Sequence, residues 1–186
     1  MKFLPRFVNE KNKNLGIPFF PFDWWFYRQL TLREFRIGAL EYEMTEENGK
    51  RKISIHIPSR ADISIHSLQT SVQHAGNFFS KHFPDYADAE MFCSSWLLSP
   101  ALKNILSDNA RILGFQNAFE LIEWDRESDA FLDWIFPRRD VPLDQLAENT
   151  SLQRKAKAYL IGGGKIGWAL GKLKKSPFPL TEKSCT

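Results

Sequence analysis

The stretch EFRIGALEYEMTEENGKRKISIHI, Glu34 to Ile57, decides the fold. In its second half Ile53, Ile55 and Ile57 alternate with Ser54 and His56. In its first half Leu40, Tyr42 and Met44 alternate with Glu41 and Glu43. A period of two is the signature of a half-buried strand. Between the halves stands Asn48-Gly49, the pair that best tolerates the positive φ angles of a type I′ turn. The spacing therefore predicts an antiparallel hairpin of Glu34–Met44 with Lys52–Ile57. A two-residue loop fixes its register: Glu47 opposite Lys50, Met44 opposite Ile53, Tyr42 opposite Ile55 and Leu40 opposite Ile57. The same register sets Glu43 against Ser54 and Glu41 against His56 on the other face.

Downstream, Pro58 closes the strand. Leu68, Val72, Ala75, Phe79 and Phe83 then recur at helical spacing, which predicts an amphipathic helix over Ser67–Phe83, stopped before Pro84. His66, His74 and His82 follow one another at eight-residue steps, drifting about 80° around such a helix at each step, so they cannot converge on one metal. Glu90–Leu98 is apolar in both phases, as in a central strand covered on both sides. Ser99-Pro100 opens a short helix over Ala101–Leu106. Ala110–Gln116 reads as irregular, Phe119–Trp124 as a strand and Asp129–Phe136 as a short helix. Thr150-Ser151 caps a helix over Leu152–Ile161 that ends at Gly162-Gly163-Gly164, and Trp168–Lys175 reads as a poor helix. The order is that of an α/β (α+β) domain with a mixed sheet.

Upstream, Met1–Arg33 has a different character. Pro18 and Pro21 exclude a long helix, and FDWWFY (Phe22–Tyr27) is densely aromatic. An irregular lead-in is expected, ending in a short helix or extended run whose aromatics pack on the domain. Trp24 and Trp25 then act as anchors rather than a ligand platform. The same aromatics offer a contact surface to a partner protein or a second copy of the chain.

The 186 residues suffice for one domain that folds without disulfide or metal. The two cysteines, Cys93 in an apolar run and Cys185 near the end, suit a reducing cytosol and have no zinc-ligand spacing with histidine. No run approaches the ~20 apolar residues of a membrane helix, and Met1–Phe7 lacks the apolar centre of a signal peptide, so a cytoplasmic protein is expected. Part of the net charge of +3 comes from the end of the chain, where Lys165, Lys172, Lys174 and Lys175 precede Pro177 and Pro179, which argues against nucleic-acid binding.

Two motif matches fail on chemistry. Gly162-Gly163-Gly164-Lys165-Ile166-Gly167 follows a helix and lacks the Ser or Thr that a P-loop places after its Lys. Cys93-Ser94-Ser95 lacks the glycines of a nucleophile elbow. The pairing with chemical content is Glu41–His56. A carboxylate stabilises the charged imidazole, and such a pair can take a proton from an amine or hydroxyl. The competing reading is a cross-strand polar pair on a solvated sheet face.

Six segments, taken in order, carry a resemblance. They are FRIGALEYEM (Phe35–Met44), ISIHIPS (Ile53–Ser59), FFSKHFPDY (Phe78–Tyr86), CSSWLLSPAL (Cys93–Leu102), FQNAF (Phe115–Phe119), and TSLQR with GGGKIGWALG. From about Arg33 to Leu173 the chain resembles the GNAT-like C-terminal domain of a bacterial acyltransferase family common in Firmicutes. The resemblance implies a mixed, mostly antiparallel sheet flanked by helices, with central strands that splay to admit acyl-CoA. It divides the chain into a lead-in over 1–33, the domain over 34–173 and a flexible basic tail over 174–186.

Larger family members carry a further N-terminal acyltransferase domain, in whose place this sequence has only a short lead-in. Members of the superfamily hold the CoA pyrophosphate with a glycine-bearing turn at a helix start. Here Pro58–Ser67 contains no glycine. Two readings follow. In one, an acyl group passes from acyl-CoA to a small-molecule amine or hydroxyl. Glu41 and His56 assist deprotonation, Ser95 protonates the leaving thiolate, and Arg60 and Ser67 meet the cofactor phosphates. In the other, the domain is a binding module without chemistry.

Overall fold

The computed structural model describes residues 23–175. The expectations for Met1–Phe22, for the aromatic side chains through Phe26, for the tail beyond Lys175 and for Cys185 lie outside the described residues. The lead-in ends in a helix, α1 (Asp23–Leu30). Three strands follow: β1 (Glu34–Ile37), β2 (Leu40–Glu47) and β3 (Lys50–His56). After them come α2 (Ile65–His82), β4 (Glu90–Ser95), α3 (Arg111–Asn117) and β5 (Phe119–Asp125). The chain closes with α4 (Leu132–Ile135), α5 (Ser151–Ile161) and β6 (Trp168–Leu173). The six strands form one sheet in the order β1-β2-β3-β4-β6-β5, antiparallel except where β3 meets β4.

The hairpin forms at Asn48-Gly49, with φ of 52° and 73°, and pairs Glu47 with Lys50, Met44 with Ile53, Tyr42 with Ile55 and Glu41 with His56. The expected single strand Glu34–Met44 is instead two strands. The chain folds back at Gly38-Ala39, where Gly38 takes a φ of +62°, as at the first loop position of a type II′ turn. Leu40 pairs with Ile37 on the β1 side, and the β2–β3 ladder ends at Glu41–His56, one pair short of Leu40–Ile57. A two-residue loop preserves the alternation, so Phe35 joins the face of Tyr42 and Ile55. Two polar rows run across the other face: Glu34–Glu43–Ser54 and Arg36–Glu41–His56.

Three further elements depart from expectation. The central strand ends at Ser95, because Trp96–Leu98 tightens into a 3₁₀ turn capped by the Ser95 hydroxyl. Arg111–Asn117 is helical rather than irregular, packing Leu113 and Phe115 inward without a side-chain cap. Trp168–Leu173 is a strand, and it fills the sheet between β4 and β5.

The apolar face of the sheet packs on α2 and α3, joining Leu40, Tyr42, Ile53, Ile55 and Cys93 to Leu68, Ala75, Phe79 and Phe115. Full burial of such side chains stabilises by about 1.5–3 kcal/mol each. A second apolar cluster joins Leu102, Phe131, Ile135, Phe136, Ala156 and Ile166 under α4 and α5. Thr150 and Gln153 close a reciprocal capping box on α5, as the Thr-Ser pair foretold. Among the described residues no helix is long and apolar enough to cross a membrane.

Candidate active site

The parallel β3–β4 ladder runs from Lys52–Glu90 to Ile55–Cys93 and stops there. Beyond it the strands part. Pro58 offers no N–H to continue the ladder, and β4 turns into its 3₁₀ segment. The parting opens a cleft. One chamber, about 310 Å³, is lined by Arg28, His56, Ser94, Ser95 and Trp168, among others. An adjoining chamber of about 330 Å³ is lined by the Pro58–Ala61 loop, including Arg60. Ile57, Trp96, Leu97 and Trp134 line both.

His56 stands at the last position of β3, directly across from Glu41. The polar face around it is not solvated. Glu41 is 3% and Glu43 9% exposed, because α1 lies over that face, with Arg28 reaching Glu43 and Gln29 reaching Glu34. His56 Nε2 makes its 2.9 Å contact with Glu43 Oε2, the diagonal neighbour, and Arg28 Nη1 lies 2.9 Å from the same oxygen. Glu41 faces Arg36 at 3.5 Å. Sequence reasoning matched Glu41 with His56 by register and passed over Glu43, which alternation places on the same face one pair further along.

The two serines divide between the faces. In the parallel ladder Ser54 sits beside Phe92 and Ile55 beside Cys93. Alternation therefore puts Ser94 on the His56 face and Ser95 on the opposite one. Ser95 is buried and its hydroxyl accepts the Leu97 N–H at 3.1 Å, so its own proton remains available to donate. Ser94 is exposed and accepts the Trp168 Nε1–H at 2.8 Å.

The two residues expected to meet phosphate are placed differently. Arg60 is exposed in the cleft wall and holds a φ of +61°, a left-handed conformation costly for a side chain. Ser67 lies in the first turn of α2, where its backbone N–H donates to the capping Ser64 hydroxyl. The Asp62 carboxylate also sits there. It is held below the usual carboxylate range chiefly by the Ser64 backbone N–H, then by the Ser64 hydroxyl.

Glu34, Glu43 and His56 bring ligand atoms within 4.8 Å of one another. The Arg28 guanidinium lies on one of the Glu43 oxygens, so this carboxylate already has a cation as partner. The Cys93 thiol, pushed up to about 12 by burial, is packing and not a nucleophile. His66, His74 and His82 are exposed along α2.

Residues 34–173 match the model of the GNAT-like C-terminal domain. The chain belongs to this family. The fold of the GNAT-like domain recurs in a crystal structure of an acyltransferase in complex with decanoyl-CoA. That structure has 24% identity and a TM-score of 0.82, with 91% of this chain and 55% of that one covered. It recurs also in an acyltransferase in complex with decanoyl-CoA and teicoplanin, at 24% identity and a TM-score of 0.84, covering 92% and 55%. A third, in complex with CoA and 10C-teicoplanin, gives the same identity, score and coverage. This GNAT-like chain thus spans about half the length of the solved structures it matches. No curated protein matches it by sequence alone.

Proposed function

We propose that this domain transfers an acyl group from acyl-CoA to a small-molecule amine or hydroxyl. The observation that carries the reading is the continuous cleft at the parting of β3 and β4, with His56 and both serines in one chamber and Arg60 in the next. Structures of the same fold were obtained with acyl-CoA or CoA bound, one of them with teicoplanin and one with 10C-teicoplanin present. We read the chain as a bacterial, cytoplasmic enzyme, in keeping with a cysteine content that asks for no oxidising compartment.

In the reaction the acceptor nitrogen or oxygen attacks the thioester carbonyl. The new bond to carbon forms as the C–S bond breaks, and the electron pair leaves on sulfur. The acceptor's proton passes to His56, flanked by Glu41 and Glu43, and the Ser95 hydroxyl supplies the proton that turns the thiolate into CoA-SH. Solvent then carries a proton from His56 back to Ser95. Arg60 and the start of α2 around Ser67 face the cofactor phosphates.

The test is release of free CoA from acyl-CoAs of graded length with a panel of amines and amino alcohols. His56→Ala is expected to lower turnover about 10²- to 10⁴-fold, the range for a lost general base. The non-catalytic module is favoured by one observation, the absence of glycine from Pro58–Ser67. It prevails if acyl-CoAs give neither heat nor thermal shift at millimolar concentration.

A further inference from the structure

Arg28 belongs to α1, before the residues that match the family domain, yet it lines the same chamber as His56. Its guanidinium and the His56 imidazole meet on one oxygen, Glu43 Oε2, each at 2.9 Å. Glu43 is 9% exposed. A carboxylate so enclosed keeps its charge only with a cation or several donors beside it. Arg28 supplies the cation, and an ionised Glu43 can only accept. The imidazole nitrogen facing it must therefore carry a proton, so in the neutral ring the lone pair falls on Nδ1.

We propose that Arg28 and Glu43 are the positioning residues of His56. Glu43 fixes the tautomer, Arg28 fixes Glu43, and the helix preceding the family domain thereby completes the site. The role in catalysis rests on the acyltransfer reading; the tautomer and the charge coupling do not. The charged groups facing the ring are Glu43 and Glu41 from β2, Glu34 from β1 and Arg28 from α1, with Arg36 on Glu41. Among the described residues, the chamber walls from β4, β6 and α4 contribute Ser94, Ser95, Trp168 and Trp134, none of them charged at neutral pH.

Nitrogen-15 NMR of the imidazoles tests the pair without any substrate. The chain has four histidines, and His56 is assigned by the signal lost in His56→Gln. The expected result is the Nε2–H tautomer wherever the ring is neutral. Glu43→Gln removes the counter-charge, so the His56 signals should change at lower pH than in the wild type. Arg28→Met removes the opposing cation, so they should change at higher pH. Shifts of opposite sign are what mere loss of packing does not produce. An Nδ1–H tautomer, or either variant titrating like the wild type, overturns the proposal. Should Glu43→Gln fail to fold, the tautomer and Arg28→Met decide.

In an active enzyme the acid limb of the pH–rate profile should move with each variant as the NMR signals do. Guanidinium added to Arg28→Ala should restore part of the rate, at least severalfold. Failure of the acyltransfer reading shows separately, as no release of free CoA by the wild type while the tautomer and both NMR shifts stand.

Discussion

Trp168 Nε1 donates to Ser94 Oγ at 2.8 Å, tying the first residue of β6 to the end of β4 at the mouth of the cleft. The bond lies on the His56 face, and both residues line the chamber. Trp168→Phe keeps most of the ring and loses the donor. It should cost about 0.5–1.5 kcal/mol in a urea melt, the net value of an ordinary hydrogen bond. Trp168→Ala also removes the wall, so KM for acceptor or donor should rise about tenfold while Ser94→Ala raises it less than threefold, each tenfold being about 1.4 kcal/mol of binding. Equal KM values in Trp168→Ala and the wild type would show that the indole does not shape the bound substrate.

Alkaline stability depends on a buried phenol. Tyr42 is buried, bonded through its hydroxyl to Ser71 Oγ at 3.0 Å, and burial pushes its pKa up to about 12. In the unfolded chain tyrosine ionises near 10. Between those values the unfolded state sheds a proton that the folded state keeps. Stability contributed by neutral Tyr42 is therefore complete below about pH 10 and is lost as pH rises toward 12, at roughly 1.4 kcal/mol per unit. The Cys93 thiol, also pushed up to about 12, adds a loss of the same sign that begins near pH 9. Tyr42→Phe should flatten the fall in melting temperature between pH 10 and 12. An unchanged slope would place the titrating group elsewhere.

The Arg36–Glu41 pair allows a test of burial. Glu41 is 3% exposed, whereas the Arg36 side chain is 42% exposed. Removing Arg36 takes a cation from an enclosed carboxylate, while neutralising Glu41 leaves an arginine that can turn to water. Arg36→Ala should accordingly be the more destabilising, by about 1–3 kcal/mol, and Glu41→Gln the milder. Denaturant melts of both variants decide the order. If Glu41 assists His56 directly, Glu41→Gln also lowers turnover tenfold or more.

These residues also show what a sequence discloses. Asn48-Gly49 demanded one turn type, and the turn carried the whole β2–β3 register with it, including Glu41 opposite His56. Gly38-Ala39 leaves no mark on the pattern, because a two-residue loop keeps the alternation in step on both sides. Trp168–Leu173 was hidden by its length and by Gly171, and Arg111–Asn117 by Gly114 and a missing cap. The placement of Glu41 opposite His56 is equally legible from local pairing, whereas the diagonal contact of His56 with Glu43 is not. Neither is Arg28. It reaches Glu43 because α1 folds across the sheet, a tertiary event with no local pattern to announce it.

At Arg60 backbone and side chain pull in opposite directions. Its φ of +61° is a conformation that disfavours every residue with a Cβ except, mildly, Asn and Asp. Nothing in the Pro58–Ser67 turn relieves this by glycine. Strain held at a cleft wall is a reason to look for a function that maintains it. The guanidinium, exposed beside the second chamber, is the group suited to a phosphate. Arg60→Gly should therefore raise stability by about 1 kcal/mol, seen as a higher melting temperature, by releasing the left-handed strain. The same change should weaken acyl-CoA binding about fivefold to thirtyfold, in the range of a lost charge-assisted contact. Binding of the acyl-pantetheine thioester, which lacks the nucleotide phosphates, should stay as it was. Equal losses for both donors would assign Arg60 to the pantetheine arm or to the loop's shape. No loss for either would leave its strained backbone without a role in cofactor capture.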